Sequence, residues 1–534
     1  MHAYKQETES SRDRKSTPPS SAPPSDELRV AVTFKRANGA DGPTKFSPPL
    51  SLSSVKEFQP DPMVVDQALH QLSLLGFQPT RRGNLSVSVR CKRELFEQTF
   101  GTQLSVVRLD SKLDYAFHSL YYPAQGAPWS MPPQLAHVLD DAYIQWPHIY
   151  MGRRAKARAA GRAKKATIVR GSTRRAGTMA GAAARLPSLK PPAVNYFHLN
   201  VPDGVTGLLN VDKVHKAGTI GKGVRVVMVD TGFAHSHPYF VSKGYKSSVD
   251  LAPHATNDAT DLNGHGTGES ANLLAVAPGI TFIGIKVNND DGSNGASMLE
   301  GFQQALLHNP HIISLSMGYD LRKDDGTQMS ELPNNMAALE AEIQAAIARG
   351  IIVVFSAGNG HFSFPGMMPN VISAGGVFVD ENSAMQASNY ASAFQSRIYP
   401  GRSVPDFCGL VGMLPHASYI ELPVPPGSEI DREQAEPDDG QGDGTAPDDG
   451  WGVFSGTSAA APQLAGVCAL LLEKNPGLSP SDAKAILRRT ARSVTKGSAN
   501  PSSGKNNVGV PASTGDTGAA GAGLIDAFVA WQQL

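Results

Sequence analysis

Cysteine is scarce in this chain: three residues, Cys91, Cys408 and Cys468, are scattered over 534 positions. An odd number so widely spaced excludes a disulfide framework, and Cys468, inside an apolar run, reads as a small core residue. No apolar run reaches the roughly 20 residues that a bilayer-spanning helix needs. The first residues also lack the basic-then-apolar pattern of a secretory leader. The expectations are no membrane partner and a cytoplasmic location, with secretion by another route left open. No internal repeat recurs, and no nucleotide-binding glycine loop follows a strand.

Net charge is absent as well, but only as a sum, since 48 Lys and Arg balance 48 Asp and Glu. Arg153, Arg154, Lys156, Arg158, Arg162, Lys164, Lys165, Arg170, Arg174 and Arg175 lie among Ala and Gly with no acidic residue between them. Interleaved aromatics and any nucleic-acid-binding module are missing there, so a disordered, cleavable connector over 151–190 is expected and no nucleic-acid partner. The opposite sign gathers in 429–449, where nine carboxylates face a single Arg432. This Gly/Pro/Asp-rich insert reads as a solvated loop. Its spacing fits no EF-hand.

At this length two folded domains and tails are expected. Met1 to Ser25 is polar and Ser/Pro-rich, a disordered tail. From Asp26 to about residue 150 the pattern is α+β. Leu28 to Phe34 and Leu85 to Val89 alternate as strands, Val64 to Leu75 has helical periodicity ended by Gly76, and Glu94 to Leu104 reads as a short helix.

The remainder, 191–534, carries the chemistry. Ser458 lies in Phe454-Ser455-Gly456-Thr457-Ser458-Ala459-Ala460-Ala461-Pro462, at the mouth of the apolar helical run Gln463 to Leu472. A serine at a helix N-terminus offers an exposed hydroxyl, unpaired N–H groups and a favourable dipole, the parts a tetrahedral oxyanion needs. A helix-capping serine has the same local look. Upstream, the apolar run Val226 to Val229 reads as a buried parallel strand delivering Asp230 to its C-terminal end. His265 stands between glycines in Asn263-Gly264-His265-Gly266-Thr267-Gly268-Glu269, where close approach by another chain is allowed. Glu269, one helical turn after His265, reads as a solvated first-turn residue.

In the order Asp, His, Ser these segments resemble the subtilisin-like serine peptidases, the subtilases. The likeness runs from about Asn210 to the C-terminus and includes Ser356-Ala357-Gly358-Asn359-Gly360 and Gly523-Leu524-Ile525-Asp526-Ala527. It implies an α/β fold with a mostly parallel sheet flanked by helices. It further implies Ser458 as nucleophile, His265 as general base and acid, Asp230 as the group orienting it, and Asn359 with the Ser458 N–H as oxyanion donors. Ser314, Leu315, Ser316, Met317 and Gly318 resemble the segment that pairs with an extended substrate. Protein or peptide is the implied substrate. Catalysis would require no cofactor, and structural calcium is allowed with its site unknown.

The N-terminal 26–150 instead resembles the activation prodomain of the kumamolisin (sedolisin) peptidases. Those use a Ser–Glu–Asp site, whereas this chain has His265 and Asn359 in the matching places, which implies activity near neutral pH or above. The expectation is a zymogen whose own prodomain occupies the cleft and is removed by self-cleavage between 153 and 190. Two rivals remain on sequence grounds: a silent peptide-binding scaffold, and an acyl-transfer enzyme such as a peptide ligase.

Overall fold

The computed structural model describes residues 26–35, 50–108, 116–117, 119–124, 129–150, 187–290, 295–435, 442–504, 508–515 and 517–534. The polar tail 1–25 and the ten basic residues of the connector lie outside the described residues.

Alternation along the N-terminal strands gives two unlike faces. Strands β1 (Glu27–Phe34), β2 (Gln78–Arg82) and β3 (Ser86–Lys92) join β6 (Leu139–Ile144) in an antiparallel sheet of order β2-β3-β1-β6. Helices α1 (Pro62–Leu74) and α2 (Arg93–Phe100) connect them in the β-α-β-β-α-β sense. Asp61 caps α1 by accepting from the Met63 N–H at 2.8 Å, and Gly101, in the left-handed conformation, ends α2 three residues short of the expected Leu104. Leu104 opens β4 (Leu104–Arg108), paired with β5 (Ser119–Pro123). Leu28, Val30, Val32, Val87 and Val89 pack on Val65, Leu72, Phe96 and Phe100 to form this domain's core. The other face carries Arg29, Ser86, Ser88 and Arg90, and it is buried too.

The large domain opens with β8 (Leu199–Asn200) and the short helices α3 (Asp203–Leu208) and α4 (Val211–Lys216). Strand β9 (Arg225–Asp230) follows, then α5 (Pro238–Lys243), β10 (Ser247–Leu251), α6 (His265–Val276), β11 (Thr281–Lys286), α7 (Met298–Leu306) and β12 (Ile312–Leu315). After β13 (Met317–Asp320) come α8 (Ala337–Ala348), β14 (Ile352–Ser356), β15 (Ser363–Phe364) and β16 (Ile372–Val379). The sheet order is β10-β11-β9-β12-β14-β16, parallel throughout. β17 (Met385–Ala387) adds antiparallel to β16 at the edge. Two-sided burial explains the continuous apolar runs: every residue of Val226 to Val229 is fully covered. Because β9 is flanked by β11 and β12, the strand order reverses around it, which places the crevice beyond its C-terminal end.

Later strands β18 (Phe394–Gln395), β19 (Ser403–Val404), β20 (Phe407–Leu410), β21 (Ile420–Pro423) and β22 (Trp451–Phe454), with helices α9 (Glu429–Ala435), α10 (Thr457–Lys474) and α11 (Pro480–Thr490), complete the layers. Helix α10 is buried from Thr457 to Leu472 and packs against α6 and the central strands. The acidic insert departs from the expected solvated loop. Part of it is α9, and Asp431 and Asp443 are buried. Asp431 Oδ2 accepts from the N–H groups of Gly427 and Gly450 at 2.8 and 3.3 Å, which folds the insert back on its own ends.

The polar face of the small sheet meets α7 and α8. Arg90 pairs with Glu300 at 3.0 Å, both side chains 1% exposed. Ser88 Oγ donates to Gln303 Oε1 at 2.7 Å. The Glu342 carboxylate accepts from the N–H groups of Asn84, Leu85 and Ser86 at 2.7–2.8 Å and from Ser86 Oγ at 2.7 Å. From this platform the chain reaches β7 (Ile149–Tyr150), which pairs antiparallel with β13 in the register Tyr150↔Met317 and Ile149↔Gly318.

Candidate active site

Asp230 ends β9 fully buried, and its Oδ1 accepts from the Thr231 N–H at 2.7 Å. His265 is the first residue of α6. Gly264 before it takes φ +96°, a conformation that favours glycine. A Cβ on Gly266 would lie 2.3 Å from the Gly232 carbonyl and 2.9 Å from Asp230 Cβ, so glycine is what lets α6 approach β9 this closely. The result is a bond of 2.7 Å between His265 Nδ1 and Asp230 Oδ1. That bond puts the proton on Nδ1 and leaves Nε2 as the basic nitrogen. Among the described residues neither His265 Nε2 nor Ser458 Oγ has a hydrogen-bond partner, an open arrangement of the kind that tightens when substrate arrives.

Asp261, which the sequence reading passed over, fixes the start of α6. Its Oδ1 accepts from Thr231 Oγ1 and the Gly264 N–H at 2.9 and 3.0 Å, and its Oδ2 from the N–H and Oγ1 of Thr267 at 2.9 and 2.7 Å. An aspartate three residues before the glycine that opens a helix was the available signal.

Ser458 is the second residue of α10, behind Gly456 as N-cap, so it is not the cap itself. An N–H at this position has no acceptor within its helix. Pro462, four residues on, has no N–H to give the Ser458 carbonyl. Ser316 Oγ fills that role from the next segment, donating to the Ser458 carbonyl at 3.0 Å. Asn359 follows β14, and its Oδ1 accepts from the N–H and Oγ1 of Thr457 at 2.9 and 3.0 Å. With its oxygen held by the helix start, the amide turns Nδ2 the other way as a donor. Thr457 Oγ1 in turn accepts from the Gly358 N–H at 3.1 Å.

The five residues Ser314 to Gly318 divide. Ser314 and Leu315 belong to β12, hydrogen-bonded on both sides to β9 and β14, so their backbones are spent inside the sheet. Ser316 touches Ser458, and Met317 and Gly318 hold the β7 strand.

Glu269 is not solvated. It is 1% exposed, because α6 is covered on every side. Burial raises its pKa to about 8, so it is neutral near pH 7. Its Oε2 accepts from Asn272 Nδ2 at 2.9 Å. For His265 burial works downward, but the adjacent Asp230 charge and hydrogen bond outweigh it and raise the pKa to about 9. Among the described residues no group of three or more His, Cys, Asp or Glu is placed to hold a metal ion, and no helix is long and apolar enough to cross a membrane. The three cysteines are buried and unpaired.

A parallel sheet with its crevice at β9, an Asp–His pair at that strand's end and a serine at the start of a buried helix point to a peptidase class, and a family model agrees. The model of the subtilase family matches residues 221–518, and the chain belongs to that family. It is a serine endopeptidase acting on peptide or protein substrates. Among curated relatives, subtilisin of Bacillus pumilus is 27% identical over 309 residues, covering 55% of this chain and 92% of the relative. Serine protease AprX of Bacillus subtilis (strain 168) is 31% identical over 293 residues, covering 50% and 61% respectively. In fold, the chain is similar to fervidolysin from Fervidobacterium pennivorans, described as a keratinolytic enzyme related to subtilisin, with a TM-score of 0.52 at 15% identity. That likeness covers 95% of this chain and 61% of the other.

Proposed function

We propose that Asp230, His265 and Ser458 are the catalytic triad, and that the chain is a zymogen whose residues 26–150 form an inhibitory prodomain. The observation that carries the triad is the 2.7 Å bond between His265 Nδ1 and Asp230 Oδ1, with Nε2 unpartnered among the described residues. Ser458 Oγ attacks the scissile carbonyl while His265 Nε2 takes its proton, then returns it to the leaving amine. Asp230 keeps the ring in the right tautomer and stabilises the imidazolium. Asn359 Nδ2 and the Ser458 N–H receive the oxyanion, and water completes the cycle by hydrolysing the acyl-enzyme.

Pairing of β7 on β13 supports the zymogen reading, because a peptide added as a strand there runs toward Ser316 and so toward Ser458. Counting one residue past Tyr150 along the sequence, we propose that the bond cut is the one between Met151 and Gly152. The proposed bond lies just before the window of 153–190 expected from composition. The sedolisin-like character of the prodomain belongs to the same proposal. A fluorophosphonate probe tests the site: it should label Ser458 in the wild type and not in His265→Ala. Labelling that persists in His265→Ala at an undiminished rate would remove His265 from the chemistry.

A further inference from the structure

The strand seated on β13 also shows how one subsite is lined. Tyr150 is 6% exposed, and its ring centroid lies 6.4 Å from that of His265. Its hydroxyl donates to Asn288 Oδ1. Asn288 follows β11 on a segment tied to the site: the Val287 N–H donates to the Asp230 carbonyl at 3.0 Å, and the Val287 carbonyl accepts from the Ala296 N–H at 2.8 Å. The amide is thus held at a fixed height beside the triad, at the depth where a phenol oxygen arrives when the ring passes His265.

We propose that Asn288 makes this peptidase selective for tyrosine at the substrate position immediately before the residue that carries the scissile carbonyl. The inference rests on the triad and register proposed above. A tyrosine there covers Asn288 and replaces the water it removes with one hydrogen bond. Phenylalanine covers the amide equally and gives nothing back, so a polar group is buried without a partner. Leucine or alanine loses the ring packing in addition. Discrimination of this kind arises from the unpaired group left in the site, not from the size of the pocket.

The test uses purified enzyme and a series of peptides, Pro-His-Ile-Xaa-Met joined to a chromogenic amine, with Xaa as Tyr, Phe, Leu or Ala. In the wild type kcat/KM for Tyr should exceed that for Phe by about three- to tenfold. Asn288→Leu should bring the Tyr/Phe ratio to one or below, with the rate on the Phe peptide rising because the amide it would bury unpaired is gone. Asn288→Asp keeps the acceptor and should retain the Tyr preference, which a purely structural role for Asn288 would not require. Cleavage of the series at equal rates for Tyr and Phe would overturn this inference alone. So would a Tyr/Phe ratio that survives Asn288→Leu. Failure to cleave any of the peptides, with the enzyme folded, would overturn the triad assignment and this inference with it.

Discussion

Glu269 marks where reading residues one at a time stops short. Four positions after His265, it has the spacing of a solvated first turn, and only the cover over α6 decides otherwise. Small residues such as Gly266, Thr267, Gly268, Ser270 and Ala271 give no amphipathic signal, because a helix buried all round has no polar face. Asp230, His265, Ser458 and Asn359 stood out in the sequence as candidates, since glycines and a strand end constrain what each can do. Asn288 did not, as its partner Tyr150 is distant in the chain, whereas Asp261 had a local signal in its place three residues before Gly264. The charge balance has a consequence for pH. With Asp230 holding the His265 pKa at about 9 against burial, kcat/KM should climb along a limb above the ordinary histidine value of roughly 6.5, not at 6–7. Glu269 becomes anionic above about 8 and then favours the imidazolium, which withholds the base. Glu269→Gln removes that charge, so the limb should shift to lower pH, and a pH profile that does not move would contradict the coupling. Asn359→Ala should lower kcat by about 10²–10³ with little change in KM. Loss confined to KM would instead make Asn359 a substrate-binding group.

Among the elements, the N-terminal sheet shows what alternation can and cannot tell. Period two separates the faces of β1 and β3 correctly, but it does not say whether the polar face meets water or another domain. Here Ser86, Ser88 and Arg90 meet Gln303, Glu300 and Glu342 on α7 and α8. Arg90→Ala would leave Glu300 buried without its cation, a loss of about 3–5 kcal/mol. Full-length chain carrying it should therefore show higher peptidase activity before processing. Unchanged activity would mean that β7 alone keeps the cleft closed. A second device lies at His148, just before β7. The ring is fully buried, and neither nitrogen has a partner among the described residues. Burial first, and then the Arg29 charge, lower its pKa to about 3. A docked tail thus holds a neutral ring, whereas a released one would titrate near 6.5. Docking is complete above the released value and is lost as pH falls toward the docked value. Hydrogen exchange over residues 146–150 in the Ser458→Ala chain should show protection falling between pH 7.5 and 5, after correction for intrinsic rates. His148→Phe should abolish that fall, and an identical loss in both chains would assign it elsewhere.

At the scale of the whole molecule, two domains of different character meet across α7 and α8 and at the short strand β7. Ordered motifs from about Asn210 onward were enough to identify the large domain, because each motif fixes a strand end or helix start in the parallel sheet. The position of the small domain was legible only as an expectation, since no residue pattern in 26–150 names α7, α8 or β13 as its partners. The acidic insert misled for a related reason. Its composition is that of a solvated loop, yet backbone N–H groups at Gly427 and Gly450 draw Asp431 inward. The central claim is that one chain both holds β7 in its cleft and cuts behind it with Ser458. Intact-mass analysis with N-terminal sequencing of the purified wild type beside Ser458→Ala tests this most directly. The account predicts a wild-type large fragment beginning at Gly152 and an unprocessed Ser458→Ala chain. A wild-type terminus elsewhere, or the same cut in Ser458→Ala, would contradict it.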